Sequence, residues 1–196
     1  MNTLTRRVFL MGLAGLALAA CETPATVQQF PDITFGHLPT IDLNAADVRI
    51  ASEYQAPMQA PNVEHLFPVT PSQALHKWAE DRLAAKGIGN AARFTISDAR
   101  VTETVLKTET GLSGVFNKEP AARYDASVAG MLEILDNRGF RKGFATARVS
   151  RSRSILEGAS INERERMWFE LVEAVMADFN AEMEKNIRAH VGAFVM

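Results

Sequence analysis

The last quarter of the chain carries the longest regular pattern in the sequence. Between residues 168 and 194, apolar side chains recur every three or four residues, which is the spacing of one face of an α-helix. The members of this stripe are Trp168, Leu171, Val172, Val175, Phe179, Met183, Ile187, Val191 and Phe194. A helix of about 33 residues would be ~50 Å long, and its apolar face needs a long surface to cover it. The C-terminal third is therefore expected to overhang a small sheet, or the helix to bend or end early.

Capping-box patterns mark the starts of two helices. Thr70, followed by Pro71 and Gln73, predicts a helix whose apolar stripe is Leu75, Trp78, Ala79 and Leu83 and which Gly87 ends. The long helix has two equally good starts, at residues 160–163 and 162–165. Both helices are amphipathic, as expected of helices that lie on a sheet.

Alternating apolar residues predict four strands around these helices. The first covers residues 47–54, and the second covers residues 92–106 with a bulge near residues 97–98, where the apolar side chains change parity. Further strands follow around Tyr124 to Ile134 and over residues 140–154, joined by a hairpin turn at residues 136–139. The sequence predicts an α+β fold in two layers, with one strand, a helix, three antiparallel strands and the long C-terminal helix. Both helices are expected on one face of the sheet.

The N-terminus has the pattern of an export signal. Arg6 and Arg7 precede an apolar run from Val8 to Ala20, and thirteen residues are too few for a membrane-spanning helix, which needs ~20. The segment from Thr5 to Leu10, with Phe9 and Leu10 after the arginines, resembles the twin-arginine export consensus.

The run ends in Leu18, Ala19, Ala20 and Cys21, which resembles the lipobox of bacterial lipoproteins. This resemblance implies that Cys21 becomes the lipidated first residue of the mature protein. Acyl chains gain ~0.8 kcal/mol per buried CH2, and two or three chains anchor a protein stably. The alternative is an ordinary signal cut near Ala20, which leaves a free thiol. Cys21 is the only cysteine, so no intramolecular disulfide can form.

We therefore divide the chain into a signal peptide (1–20), a lipidated cysteine with a flexible, proline-rich tether (21–46), and one periplasmic domain (47–196). Without residues 1–20 the formal charge changes from −2 to −4, because two arginines and no acids are lost. This mild acidity argues against nucleic acid as a partner. Glu22 follows the cysteine, where Asp is the usual inner-membrane retention residue, so the outer membrane is the expected location.

A search for catalytic or metal-binding patterns finds none that is specific. No two of the four histidines lie at the helical spacing of a metal-ligand pair, and there is no glycine-rich phosphate loop or glycine-flanked serine elbow. Four glutamates at the start of the long helix are better explained by solvation and the helix dipole than by acid–base chemistry. The sequence predicts no enzyme, no cofactor and no metal.

Two features are candidates for contact with a partner or a lipid. The first is a loop between the long strands that presents Leu112, Val115 and Phe116, which form a contact surface or else fold back over the sheet. The second is a run of basic residues without an acid between Arg138 and Arg153. Its candidate contact residues are Arg141, Lys142, Arg148, Arg151 and Arg153. These cations either attract an anionic lipid or acidic partner, or are neutralised by acids elsewhere in the fold.

The lipobox, the tether and the order of elements together resemble two families of envelope lipoproteins. These are the ABC-transport auxiliary lipoproteins and the lipopolysaccharide-assembly lipoprotein that plugs an outer-membrane barrel. The segment from Ser113 to Tyr124 is similar in placement to a loop and strand of the latter family. The resemblance implies a non-catalytic binding or assembly subunit of a lipid-transport or outer-membrane complex. The alternative is a structural lipoprotein that pairs with other subunits through its sheet edge or long helix, without lipid binding. A remote alternative is an exported enzyme.

Overall fold

The computed structural model describes residues 28–106 and 119–196. In this part of the chain, two helices and six strands form an α+β fold. The strands are β1 (Ile41–Leu43), β2 (Asp47–Ser52), β3 (Leu83–Ala85), β4 (Ala91–Val105), β5 (Pro120–Leu135) and β6 (Arg141–Leu156), and the helices are α1 (Pro71–Arg82) and α2 (Ile161–His190). The predicted fold class is confirmed.

The main sheet has the strand order β2-β4-β5-β6. Strands β4, β5 and β6 form the predicted antiparallel meander, and β2 lies parallel to β4 at one edge. Both helices cover the same face. Phe94 of β4 contacts Trp78 of α1 and Phe179 of α2, with ring centroids 5.2 and 6.3 Å away. The core therefore lies between this face and the two helices.

Gly130 of β5 sets how closely the helix layer approaches the sheet. A Cβ added at this position would lie 2.7 Å from the ring of Phe94 and 3.2 Å from the ring of Phe179. Because both rings are fully buried, neither can move aside cheaply. Only glycine fits at this crossing.

The predicted bulge in β4 decides which residues enter the core. The register shifts between Ile96 and Asp98, so that Ile96 lies opposite Gly130 and Asp98 lies opposite Ala129. Without the extra residue, Asp98 would share the face of Phe94 and Ile96 and would point into the helix layer. The bulge moves this carboxylate to the uncovered face of the sheet.

A buried polar cluster joins the two helices. Asn180 of α2 accepts hydrogen bonds from the Trp78 indole and the Arg82 guanidinium at 2.9 and 3.0 Å. Arg82 is 1% exposed and also pairs with Glu184 at 2.5 Å. Since a buried cation is costly unless it is paired, this contact fixes how α1 lies against α2.

The prediction that α1 runs to Gly87 is wrong, although its capping box at Thr70 and Gln73 is confirmed. The helix ends at Arg82 because the next three residues form β3, which pairs in parallel with β1. Gly87 has a different role. A Cβ there would lie 2.2 Å from the side chain of Asn44, so the position requires a residue without a side chain.

The long helix starts at the first of its two predicted capping boxes, with Ser160 as the cap. It ends at His190, so Val191 and Phe194 lie beyond the α-helix, the latter in a single 3-10 turn (Gly192–Phe194). The chain then turns back, and Val195 forms a bridge with Leu43 of β1. The helix ends early and does not overhang the sheet.

The predicted flexible tether extends too far along the chain. Ile33, Phe35, Ile41, Leu43 and Ala45 are all buried in the core. The segment lacks a regular period because it packs along α1 as an extended chain, except for the short strand β1. Residues from Ile33 onward therefore belong to the domain, whereas the predicted signal peptide and Cys21 lie outside the described residues.

Candidate functional site

Several predicted site residues lie outside the part of the chain that the structure describes. These are Arg6, Arg7, Phe9, Leu10, Leu18, Ala19, Ala20, Cys21, Leu112, Val115 and Phe116. The described residues that flank the predicted contact loop are Leu106 and Glu119. The Leu106 N–H donates to the Ala121 carbonyl at 2.9 Å, so the flanks lie at one end of the sheet.

The predicted basic run lies on β6, the outermost strand of the meander. Two of its arginines point to the helix side and pair with acids of α2. Arg151 bonds to Asp178 through both Nε and Nη2, and Arg153 bonds to Glu170 at 2.6 Å. The hydrogen bond from Arg151 lowers the pKa of Asp178 below its usual range. These two cations are neutralised within the fold.

The other three predicted cations have different surroundings. Lys142 lies near the C-terminus, with Nζ 3.3 Å from Asn90 and 5.2 Å from the centroid of the Phe194 ring. Arg141 and Arg148 lie on the sheet face that no described helix covers, which we call the open face. The structure therefore places only two of the five predicted basic residues on the open face.

A buried carboxylate organises each of these two arginines on the open face. Glu133 of β5 accepts two hydrogen bonds from Arg93 of β4, at 2.7 and 2.9 Å, and one from Arg141 of β6, at 3.3 Å. The guanidinium of Arg141 also lies over the ring of Phe144, with 4.7 Å to the centroid. Glu133 therefore joins three strands across the sheet.

Asp98 forms a second cluster of the same kind. One of its oxygens lies 2.8 Å from Arg148 Nη1, 3.0 Å from Ser127 Oγ and 3.4 Å from Arg100 Nη1. Asp98 lies opposite Ala129, which is four residues from Glu133 along β5. The two clusters are therefore about 13 Å apart along the strands. We call them the Glu133 cluster and the Asp98 cluster.

Each cluster has one carboxylate between two arginines and so carries one excess positive charge. Both carboxylate side chains are only 6% exposed, whereas the four arginine side chains are 48–62% exposed. A carboxylate can be buried in this way because the arginines donate hydrogen bonds to its oxygens. The carboxylates thus hold the guanidinium groups in place at the surface.

The open face as a whole is positive although the protein is acidic. Its strands present six arginines and four acids, which leaves an excess of two positive charges. The arginines are Arg49, Arg93, Arg100, Arg123, Arg141 and Arg148, and the acids are Asp47, Asp98, Asp125 and Glu133. The face can bind anionic groups, because arginine offers paired donors to carboxylate or phosphate.

Sequence reasoning missed Arg93, Asp98, Arg100 and Glu133. The available signal was a carboxylate between apolar neighbours, as in Leu132-Glu133-Ile134 and close to Ile96 and Ala99. Such a residue needs a partner, but the partners lie on other strands and cannot be read from local sequence.

No group of three or more His, Cys, Asp or Glu side chains in residues 28–106 and 119–196 is arranged to hold a metal ion. Over the same residues, no helix is both long and apolar enough to span a bilayer.

Known proteins offer only distant similarity. No family model matches the chain, and no curated protein matches it. Among solved structures, a minor lipoprotein from Acinetobacter baumannii is similar at 11% identity and a TM-score of 0.39, covering 75% of this chain and 93% of that one. The rare lipoprotein B from Shewanella oneidensis is similar at 8% identity and a TM-score of 0.35, covering 71% and 92%. A Xanthomonas campestris protein is similar at 9% identity and a TM-score of 0.36, covering 84% and 93%. Similarity at this level carries no argument about function.

Proposed function

We propose that this protein is a lipid-anchored binding subunit of a bacterial envelope complex and acts without turnover. The observation that carries the proposal is the pair of arginine–carboxylate clusters on the open face, which form a fixed positive surface on an acidic protein. Its partner is a protein with an acidic surface. The lipidated Cys21 holds the domain at the periplasmic face of a membrane.

Preorganisation is the physical reason for assigning binding to this face. Ordering a long side chain at an interface costs ~0.5–1.5 kcal/mol, and here the buried carboxylates already order the arginines. The donors of Arg93, Arg100, Arg141 and Arg148 that do not face the carboxylates remain available to a partner. Two clusters about 13 Å apart fit an extended acidic surface better than one small anion.

The geometry of the two clusters supports the proposal of binding without turnover. Both buried carboxylates accept hydrogen bonds from arginines on neighbouring strands. A catalytic base must offer a free lone pair within reach of its substrate. The Glu133 and Asp98 oxygens already face guanidinium groups, so the clusters are suited to binding rather than proton transfer.

The anchor and its location rest on the sequence. The lipobox-like residues 18–21 support acylation of Cys21, and the resemblance to the twin-arginine consensus supports export by that route. Glu22 after the cysteine supports the outer membrane. A role in lipid transport or outer-membrane assembly follows from the resemblance to envelope lipoproteins.

The charges of β6 oppose the alternative of pairing through the sheet edge. An exposed edge strand is commonly protected against another chain by charged side chains, and β6 carries five basic residues over sixteen positions. The side chain of Asn186 also donates to the Thr146 carbonyl at 2.8 Å, so α2 occupies part of this edge. The open face remains the better surface for a partner.

In vivo photo-crosslinking tests the proposal. A photoreactive amino acid replaces Thr146, which is exposed on the open face, or Glu173, which is exposed on the outer side of α2. The double variant Arg100→Gln, Arg141→Gln then removes the excess charge of each cluster. Asp98 keeps its bond to Arg148, and Glu133 keeps its bonds to Arg93, so neither carboxylate is left unpaired.

We expect a discrete protein adduct from position 146 that the double variant abolishes. The control Lys185→Gln, Arg188→Gln also removes two positive charges, but from the surface of α2, and should preserve the adduct. A lipid adduct instead of a protein adduct would mean that the partner of the open face is an anionic lipid headgroup and not a protein. An adduct from position 173 alone, or one indifferent to the arginines, would exclude the open face as the binding surface.

A further inference from the structure

Nine large apolar side chains are exposed among the described residues, and six of them lie in two groups at opposite ends of the sheet. Val105, Leu156 and Ile161 lie at the end where β4 stops and β5 starts, which we call the first end. The other group, at the second end near the hairpin, consists of Ile88, Phe140 and Met196. The strands and α2 run from one end of the domain to the other.

The N-terminal segment enters the domain near the first end. Phe30 stacks on Phe169 in the third turn of α2. The chain then runs along α1, where the Phe35 N–H bonds to Asp81, and reaches the second end at Ile41, which pairs with Leu83. The described N-terminal segment therefore begins on the side of the first end.

The short stretch of chain between Phe30 and Cys21 restricts where the membrane can lie relative to the domain. Phe30 is nine positions after Cys21, a span of at most about 30 Å. Phe169 lies about 12 Å along α2 from Ile161 and about 32 Å from His190. The acyl chains can reach the level of the first end with slack, but that of the second end only with a fully stretched tether.

We infer that the first end of the domain rests on the bilayer that holds the acyl chains of Cys21, with Val105, Leu156 and Ile161 in contact with lipid. The inference rests on the proposed lipid anchor. The acids Glu157 and Glu163 lie beside these side chains, so the contact is shallow, at the level of the lipid headgroups. Apolar contact of this kind is insensitive to salt.

This orientation determines which way the open face points relative to the membrane. Since the strands run from the first end to the second, they stand upright on the membrane, and the open face points sideways. The Glu133 and Asp98 clusters then face neighbouring membrane-bound proteins rather than the bilayer.

Fluorescent labelling of the full lipidated protein tests the inference. Cys21 is the only native cysteine and carries the lipid, so an introduced cysteine is the only reactive thiol. Ile161→Cys and Val105→Cys report on the first end, and Ile88→Cys is the matched control at the second. All three native side chains are exposed, so no buried packing is lost. The labelled proteins are reconstituted into vesicles of phosphatidylethanolamine and phosphatidylglycerol.

We expect nitroxide groups at headgroup level to quench the label at residues 161 and 105 at least twofold more than the label at residue 88. The difference should persist in 0.5 M salt, an ionic strength that screens exposed charges within roughly 5 Å. Equal quenching at all three positions, on protein that floats with the vesicles, would overturn this inference and leave the anchor intact. Protein that does not float would overturn both.

Discussion

The ring of Phe30 stacks on the ring of Phe169, with centroids 5.2 Å apart and planes inclined by 30°. This contact is a long-range packing interaction of the described N-terminal segment. It joins the residues that follow the anchor to the long helix. The position of the domain relative to Cys21 therefore depends on it.

We expect Phe30→Ala to lower the free energy of unfolding by about 1–2 kcal/mol, because a partly buried aromatic contact is lost. Limited proteolysis should then cleave the chain near residues 28–36 before the rest of the domain. Phe140→Ala is the control, since Phe140 is 68% exposed and its loss should change stability by less than about 0.5 kcal/mol. Equal protease sensitivity in both variants would mean that the stack does not hold the segment.

A substitution in the core between the sheet and the helices is expected to lower stability more than Phe30→Ala does. Phe179 is fully buried and packs edge-on against Trp78 at 5.2 Å. Phe179→Ala should cost about 3–5 kcal/mol in a chemical denaturation experiment. Glu173→Ala, on the outer side of the same helix, should stay within about 0.5 kcal/mol. A small loss at Phe179 would contradict the assignment of the helical face.

Ionisation of Asp81 makes the stability contributed by the N-terminal segment depend on pH. Burial raises the pKa of this carboxyl, but hydrogen bonds from Lys77 and from the Phe35 N–H outweigh burial and hold the pKa below its usual value. A lowered pKa means that the carboxylate stabilises the fold above the pKa of the unfolded chain, which is about 3.9. This stabilisation is lost as the pH falls through the folded value.

We expect Asp81→Asn to be less stable than wild type at pH 7, by roughly 1–2 kcal/mol, and the difference to shrink in acid. Denaturation at pH 7 and at pH 3 measures it. The neighbouring exposed change Glu80→Gln is the control and should show a smaller loss at both pH values. If the stability difference between wild type and Asp81→Asn grew in acid, the pKa of Asp81 would be raised in the folded protein and not lowered.

The export route is tested by Arg6→Lys with Arg7→Lys. If the twin-arginine pathway is obligatory, the double variant should remain as an uncleaved precursor in the cytoplasm, because both arginines are part of the recognised pattern. Immunoblots of cell fractions would show this. Normal maturation would indicate that a different pathway accepts the signal.

Local signals in the sequence predicted much of the fold. Thr70 with Gln73 and Ser160 with Glu163 set both helix starts through capping boxes that the structure forms. The parity change near residue 97 predicted the bulge. These features depend on neighbours in the chain, so a short window of sequence contains the necessary information.

Features that depend on distant partners could not be predicted in this way. Strand β1 has three residues and exists because Leu83–Ala85 lies beside it, which also ends α1 earlier than Gly87. On the open face, Glu133 and Asp98 each collect arginines from other strands. Local charge patterning identified Arg141 and Arg148, but the pairing that makes them a site follows only from the register of the sheet.

Both proposals rest on the acyl chains of Cys21, so metabolic labelling with a fatty-acid analogue is the most direct test. Wild-type protein should incorporate the label, lose residues 1–20 and remain with the membrane fraction. Cys21→Ala should carry no label and leave the membrane or remain unprocessed, because acyl burial is the expected attachment. Label retained on the Cys21→Ala protein, or no label on wild type, would contradict the account.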